Sequence, residues 1–185
     1  MTIKELTFAL KDGREAFIRS PRIEDSQELI NYLIKATSET DFLLATPEEC
    51  SSYTIEYERA FIESANSSSS SYMLVCLVNN RIVGTARIDF YTHIKTKHRA
   101  RVAVAILREY WGQGIGSRFF KEMIRLAESN QDVTQLELEF IEGNERAKGL
   151  YEKFGFKVYG FIPNSIRQKD GTLLKEYLMI KELQR

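Results

Sequence analysis

Trp111-Gly112-Gln113-Gly114-Ile115-Gly116-Ser117 places three of the chain's ten glycines at alternate positions. Glycine costs roughly 0.5–1 kcal/mol relative to alanine inside a helix or strand, so the cluster needs a reason in the backbone. Its flanks supply one. Arg99 to Leu107 (RARVAVAIL) reads as a strand that is apolar on both faces toward its end, the pattern of a central strand. Ser117 to Ser129 reads as a helix with Phe119, Phe120, Met123, Ile124 and Ala127 on one side. A glycine-rich turn from strand into helix presents backbone N–H groups beside the positive end of the helix dipole, with no Cβ in the way of a ligand. That is an anion site. Arg108, Arg118 and Lys121 add positive charge, so the expected ligand carries phosphate.

Outward from this turn, the chain alternates strand and helix signals. Glu15 to Ser20 reads as a strand after a Lys11-Asp12-Gly13 turn, and Pro21 breaks it. Glu24 or Asp25 then opens an amphipathic helix with Leu29, Ile30, Leu33 and Ile34 at helical spacing. Pro47 separates Phe42-Leu43-Leu44 from a second helix, Tyr53 to Ala65, and the five serines 67–71 read as a mobile loop. Tyr72–Val78 and Arg81–Tyr91 around Asn79-Asn80 carry a hairpin signal. Downstream lie an alternating strand, Gln135–Ile141, a helix, Asn144–Phe154, and a strand, Gly155–Tyr159. Pro163 and Asp170-Gly171 mark turns, and Leu173–Ile180 is the last strand. The order β-α-α-β-β-β-α-β-α-β-β predicts an α/β domain with a mixed sheet.

Length and composition suit a single domain over residues 1–185. Lys+Arg and Asp+Glu number 26 each, which gives no reason to expect nucleic acid or an anionic membrane as partner. Charge is nonetheless segregated. Glu39 to Glu63 holds seven acidic residues and one basic, and Arg81 to Arg125 holds ten basic and three acidic. A cationic acceptor would be drawn to the first block if it lined an entrance, although such runs are most often a solvated face. The N-terminus has no continuous apolar segment, and no apolar run reaches 18 residues, so a cytoplasmic location is expected. Cys50 and Cys76 lack metal or disulfide spacing; Cys76 reads as a core residue. His93 and His98 sit in a basic turn without ligand spacing, and no metal is expected.

Several phosphate ligands are compatible with a bare Gly-x-Gly-x-Gly. A Walker A loop needs Gly-Lys-Ser/Thr after four spacers, where this chain has Gly116-Ser117-Arg118. A dinucleotide fold needs GxGxxG after the first strand of a βαβ unit, where this chain has a meander. The sequence resembles instead the GCN5-related N-acetyltransferase (GNAT) family, in the branches that acetylate ribosomal proteins and small amines. Trp111-Gly112-Gln113-Gly114-Ile115-Gly116 is similar to the family's Gln/Arg-x-x-Gly-x-Gly/Ala loop, with Trp111 at the position usually held by Gln or Arg. Asn144 to Phe156 resembles its N-x-x-A-x-x-L-Y-x-x-x-G-F segment. The likeness covers about residues 15–182.

The resemblance implies one twisted, mostly antiparallel sheet of about seven strands, splayed between the fourth and fifth, with about four flanking helices. It implies acetyl-CoA as cosubstrate. Val104, Ala105 and Ile106 would offer backbone groups to the acetyl carbonyl and pantetheine amides. Trp111, Gly112, Gln113, Gly114, Ile115, Gly116 and Ser117 would form the pyrophosphate loop, and Asn144 would contact the pantetheine arm. Tyr151 would sit near the thioester sulfur and donate to the departing thiolate. Glu139 matches the base of the ribosomal-protein branch, and it reads equally as a solvated residue of an alternating strand. A neutral amine, from a small molecule or a protein N-terminus, would attack the thioester directly, without a covalent enzyme intermediate. A non-catalytic acyl-CoA-binding module would need the loop but neither Tyr151 nor Glu139. The last strands are placed to pair between the subunits of a homodimer.

Overall fold

The computed structural model describes Met1–Gln184; the expected domain 1–185 includes Arg185, which lies outside the described residues. Eight strands and five α-helices are present among the described residues, one more of each than the sequence pattern indicates. The chain forms two compact units, Met1–Asp89 with Val104–Phe119, and Phe90–Ala103 with Phe120 onward. No helix among the described residues is long and apolar enough to cross a membrane.

In the first unit β1 (Leu6–Ala9), β2 (Glu15–Arg19), β3 (Ser71–Val78) and β4 (Arg81–Phe90) form an antiparallel meander in that order. β1 is the strand the sequence conceals. It is four residues long at an edge, half of its side chains exposed, and it pairs Leu6 to Ile18 and Ala9 to Glu15 across the expected turn at Gly13, φ +87°. The β3–β4 hairpin turns on Asn79 and Asn80, at φ +49° and +62°, the left-handed pair that a two-residue loop between twisted strands requires. Ile18, Leu74, Val75, Cys76, Val78 and Ile88 are fully buried.

Helices α1 (Ser26–Ser38), α2 (Pro47–Ser51) and α3 (Ile55–Ser67) belong to this unit, with α1 packed on both of the others. α1 buries Leu29, Ile30 and Tyr32, while Leu33 and Ile34 are half-buried. Pro47 separates Phe42-Leu43-Leu44 from the second helix as expected and in addition starts α2, where its missing N–H costs nothing at the first helical position. Thr46 and Glu49 close a reciprocal cap around it at 3.2 and 2.7 Å. Thr54 caps α3, accepting from the Tyr57 N–H at 3.1 Å, so the helix runs two residues later than predicted. Ser67 ends α3 and Ser71 begins β3, leaving three of the five serines as connection.

The second unit contains the start of β5 (Arg99–Ile106), β6 (Gln135–Ile141), β8 (Leu173–Glu182) and β7 (Lys157–Arg167), in that lateral order. β5 and β6 are parallel, and the remaining pairs are antiparallel. The predicted turn at Pro163 is instead an interruption inside the eleven-residue edge strand β7, between Ile162 and Ile166, with Asn164 at φ +54°. Proline is tolerated there because an edge strand has a free side and an irregularity needs no ladder donor. α4 (Ile115–Ser129) begins in the first unit and continues into the second, where α5 (Glu145–Lys153) joins it. Phe120 anchors an aromatic cluster with Tyr151, Phe154 and Phe156 at ring separations of 5.5, 5.3 and 5.6 Å. Burying one such ring contributes about 1.5–3 kcal/mol.

Glu58 of α3 is 2 % exposed, and its Oε1 has no hydrogen-bond partner. Burial raises its carboxyl pKa above the ordinary glutamate value. The folded chain therefore holds this proton more tightly than the unfolded chain, and stability falls as pH rises from the ordinary glutamate range through the raised value. Glu58→Gln is expected to melt higher than wild type at pH 8, with the difference shrinking toward pH 4. Equal differences at both pH values in thermal denaturation would exclude a charged Glu58 as the cause.

Candidate active site

The loop that follows β5 is built from local rules. Arg108–Tyr110 makes one 3-10 turn between strand and loop, so the glycines do not follow the strand directly. Gly112 and Gly114 adopt φ +78° and +98°, and a Cβ on either would project into open space. α4 opens at Ile115, two residues earlier than predicted, which puts Gly116 and Ser117 in its first turn. Its first backbone bond runs from Arg118 N–H to Gly114 O at 3.0 Å. The N–H groups of Ile115 and Gly116 thus precede any possible intrahelical partner and face out of the positive end of α4. Gln113 ties the loop to the β1–β2 turn, its Oε1 accepting from Asp12 N–H at 3.2 Å and its carbonyl from Lys11 N–H at 3.4 Å. Arg118 leans over the Phe8 ring, and its Nε is buried without a partner. An open-sided cradle of N–H groups with an orphaned guanidinium nitrogen beside it fits a diphosphate.

One expected cationic contributor has another partner. Arg108 is turned to Glu39, with its backbone N–H on the Glu39 carboxylate at 2.6 Å and its guanidinium on the Glu39 carbonyl. Lys121 is exposed. Trp111, which stands where the family has Gln or Arg, directs its Nε1–H to Ile106 O at 2.8 Å. The adjacent Ala105 O accepts from the buried Tyr32 hydroxyl at 2.8 Å, and that hydroxyl also meets Thr85 Oγ1 at 3.2 Å. Burial pushes the Tyr32 phenol far above its ordinary pKa, so it stays a donor. Gly84 brings β4 close to this segment: a Cβ there would meet Ala105 O, Ile106 Cγ1 and Phe119 Cε2, each at 3.2 Å.

Within the second unit, the β5–β6 ladder comprises Arg99–Gln135, Ala100–Leu136 and Arg101–Glu137, and it ends there although both strands continue. These are the fourth and fifth strands of the sequence pattern, renumbered by the unexpected β1. Glu139 lies just beyond the end of the ladder, its Oε2 bonded by an Arg101 terminal nitrogen. Burial raises the Glu139 carboxyl pKa; the Arg101 charge opposes that, and Glu176 adds to it. Its neighbour Phe140 points to the opposite face, as strand alternation requires, and meets the Tyr151 ring at 6.2 Å. Tyr151 on α5 is buried, which pushes its phenol up to about 12, so it too is a donor at neutral pH. Asn144 is the α5 N-cap, its Oδ1 accepting from Ala147 N–H at 3.2 Å and leaving its amide N–H₂ for other partners. The roles of Tyr32, Gly84 and Arg101 carry no local sequence signal; each acts through a residue distant in the chain.

The acetyltransferase (GNAT) family model matches residues 32–156, which reach into both units. The chain is 26% identical over 108 residues to the L-amino acid N-acetyltransferase AaaT of Escherichia coli, covering 58% of this chain and 66% of that protein. It is 32% identical over 89 residues to N-alpha-acetyltransferase 30 of Schizosaccharomyces pombe, covering 48% and 59%. The chain thus spans less than two thirds of these curated relatives. Among solved structures, an acetyltransferase of the GNAT family from Streptococcus pneumoniae is similar at a TM-score of 0.83 and 27% identity, over 91% of this chain and 99% of that one. The yncA protein of Salmonella typhimurium, solved with its cofactor acetyl-CoA, shares the fold at a TM-score of 0.76 and 17% identity, over 91% and 94%.

Gly114→Ala puts a methyl group into the cradle and forces alanine to a positive φ, a strain of about 1–2 kcal/mol. The melting temperature is expected to drop by about 2–8 °C. Calorimetric affinity for coenzyme A is expected to fall at least tenfold, beyond any change in the fraction folded. Unchanged affinity would remove the loop as the phosphate site.

Proposed function

The chain belongs to the acetyltransferase (GNAT) family, and from that membership we propose that it transfers the acetyl group of acetyl-CoA directly to an amine. One observation carries the reading: pairing between β5 and β6 stops at Arg101 and Glu137, with Glu139 beyond it on one face of β6 and Tyr151 packed on the other. A base and an acid on opposite faces of an opened strand suit a reaction in which a nucleophile enters from one side and a thiolate leaves toward the other.

Acetyl-CoA supplies the thioester. Gly112, Gln113, Gly114, Ile115, Gly116, Ser117 and Arg118 hold its diphosphate, Asn144 meets the pantetheine arm with the amide nitrogen its cap leaves over, and Trp111 acts indirectly by fixing the strand end. Val104, Ala105 and Ile106 present backbone groups to the acetyl and pantetheine portion; Ala105 O and Ile106 O each already accept one bond, which orients them. Glu139 takes the proton of the incoming ammonium. The amine nitrogen then bonds to the acetyl carbon as the C–S bond breaks, and the Tyr151 hydroxyl protonates the departing sulfur. The proton shed by the new amide nitrogen returns through solvent to the phenolate. The raised pKa of Glu139 suits a base that works near neutral pH. The same proposal takes residues 1–185 as one working domain in the cytoplasm, supported by a family match that enters both units. It includes a homodimer through β7, an edge strand with Val158, Tyr159, Phe161 and Ile162 exposed. A generally cationic acceptor has weaker support, since Glu39 engages Arg108, Glu49 caps α2 and Glu58 is buried.

Thiol release from acetyl-CoA in the presence of an amine panel tests the reading. Tyr151→Phe is expected to lower kcat on the order of 100-fold with coenzyme binding retained. The acidic limb of kcat/KM against pH is expected above the ordinary glutamate range of about 4.3 and absent from Glu139→Gln. Arg101→Gln removes the charge that lowers the Glu139 pKa and shifts the limb to higher pH. Binding of acetyl-CoA without turnover on any amine would favour the non-catalytic module.

A further inference from the structure

We propose that the acceptor is a free α-amino acid, held as a zwitterion by Glu139 and Arg101; this rests on the reading of Glu139 as the base and names the substrate class of that same site. Two arginine–glutamate rungs join β5 to β6 on one face, and they are physically unlike. In the Arg99–Glu137 rung the guanidinium donates twice, at 2.5 and 2.6 Å, and the Gln135 amide adds a third bond at 2.6 Å. Arg99 also lies over the Tyr91 ring at 4.8 Å. Burial opposes ionisation of Glu137, yet the bonds from Arg99 and Gln135 win and hold its pKa below the ordinary value. This rung is closed.

The Arg101–Glu139 rung is open. A single terminal nitrogen of Arg101 reaches a single carboxylate oxygen, and the two side chains are 50% and 28% exposed. The groups facing it are Glu137 on β6, Glu176 on β8, whose Oε2 accepts from Ser165 at 3.0 Å, and the hydroxyl of Tyr159 on β7. An α-ammonium bonded to Glu139 competes with Arg101 for that carboxylate, and the guanidinium it displaces needs a new anion. The α-carboxylate two bonds away supplies one, in the bidentate geometry that arginine favours. A simple amine leaves Arg101 unpaired, and a peptide N-terminus offers a neutral carbonyl in its place. Beside Glu139 the register brings Leu178 and then Gly160. Because Gly160 has no side chain, these two make a shallow apolar seat for the amino-acid side chain, with the exposed ring of Tyr159 next along β7.

The test is the initial rate of thiol release by the full chain with acetyl-CoA. The acceptors are L-amino acids, their amides and methyl esters, the matching decarboxylated amines, and dipeptides with the same first residue. The free amino acid is expected to exceed its amide, ester, amine and dipeptide in kcat/KM by on the order of 100-fold. In Arg101→Gln, assayed on the pH plateau and checked for folding by its melting curve, the amino-acid KM rises at least tenfold. The amide KM stays put and the preference collapses, while Arg101→Lys is intermediate. Gly160→Val is expected to exclude bulky amino acids and retain small ones. Amides, amines or dipeptides used as well as the free acid would overturn the proposal. So would an Arg101→Gln loss that falls on kcat alike for every acceptor, which would make Arg101 a positioning residue for Glu139. Acetyl-CoA binding with no thiol release on any acceptor would instead sink the transfer reading, and this inference with it.

Discussion

The parallel ladder between β5 and β6 ends at Arg101 and Glu137 while both strands run on. A backbone that leaves its ladder must satisfy its N–H and C=O groups elsewhere, at about 1–3 kcal/mol for each buried group left alone. The chain meets this requirement with side chains from two directions. Tyr32 of α1 takes Ala105 O, and Trp111, from the turn that follows, takes Ile106 O. Tyr32 spends its one proton on Ala105 O and accepts from Thr85 in turn, and the Trp111 indole can only donate, so side chains hold these two carbonyls where pairing with β6 has stopped.

The end of the ladder also gives β6 two chemically distinct sides. Strand alternation sends Glu137 and Glu139 to one face and Phe140 to the other, where Phe120, Tyr151, Phe154 and Phe156 pack. The aromatic face removes water from Tyr151 and keeps its phenol protonated. The other face keeps Glu139 partly solvated and ionisable, with a raised pKa. Two titratable groups are thus tuned by the same strand, through burial on one side and an incomplete ion pair on the other.

Much of this was legible in local pattern. The Gly112–Gly114 turn, the apolar face of α4, the Asn79-Asn80 hairpin and the Asn144 cap each depend on residues within about four positions of one another, and all four are present. Misreadings occurred where a residue's meaning depends on position within an element. Pro47 separates Phe42-Leu43-Leu44 from the second helix as expected but also starts the unexpected α2, and Pro163 is housed by the free side of an edge strand rather than in a turn. β1 stayed hidden because the alternation Leu6-Thr7-Phe8-Ala9 is only four residues long, too short to stand out as a strand.

The sequence alone determined that a glycine-opened helix N-terminus follows a central strand, and that Asn144 and Tyr151 share the helix beyond β6. Those features need only neighbouring residues and the 3.6-residue period. The tertiary structure decided that Trp111 serves the strand end, that Arg108 is turned to an acidic helix end, and that of two glutamates on one face Glu137 is sealed and Glu139 is open. The reason is register. Which arginine meets which carboxylate depends on how two strands some 36 residues apart are aligned, Arg99 against Gln135, and no local propensity encodes that offset.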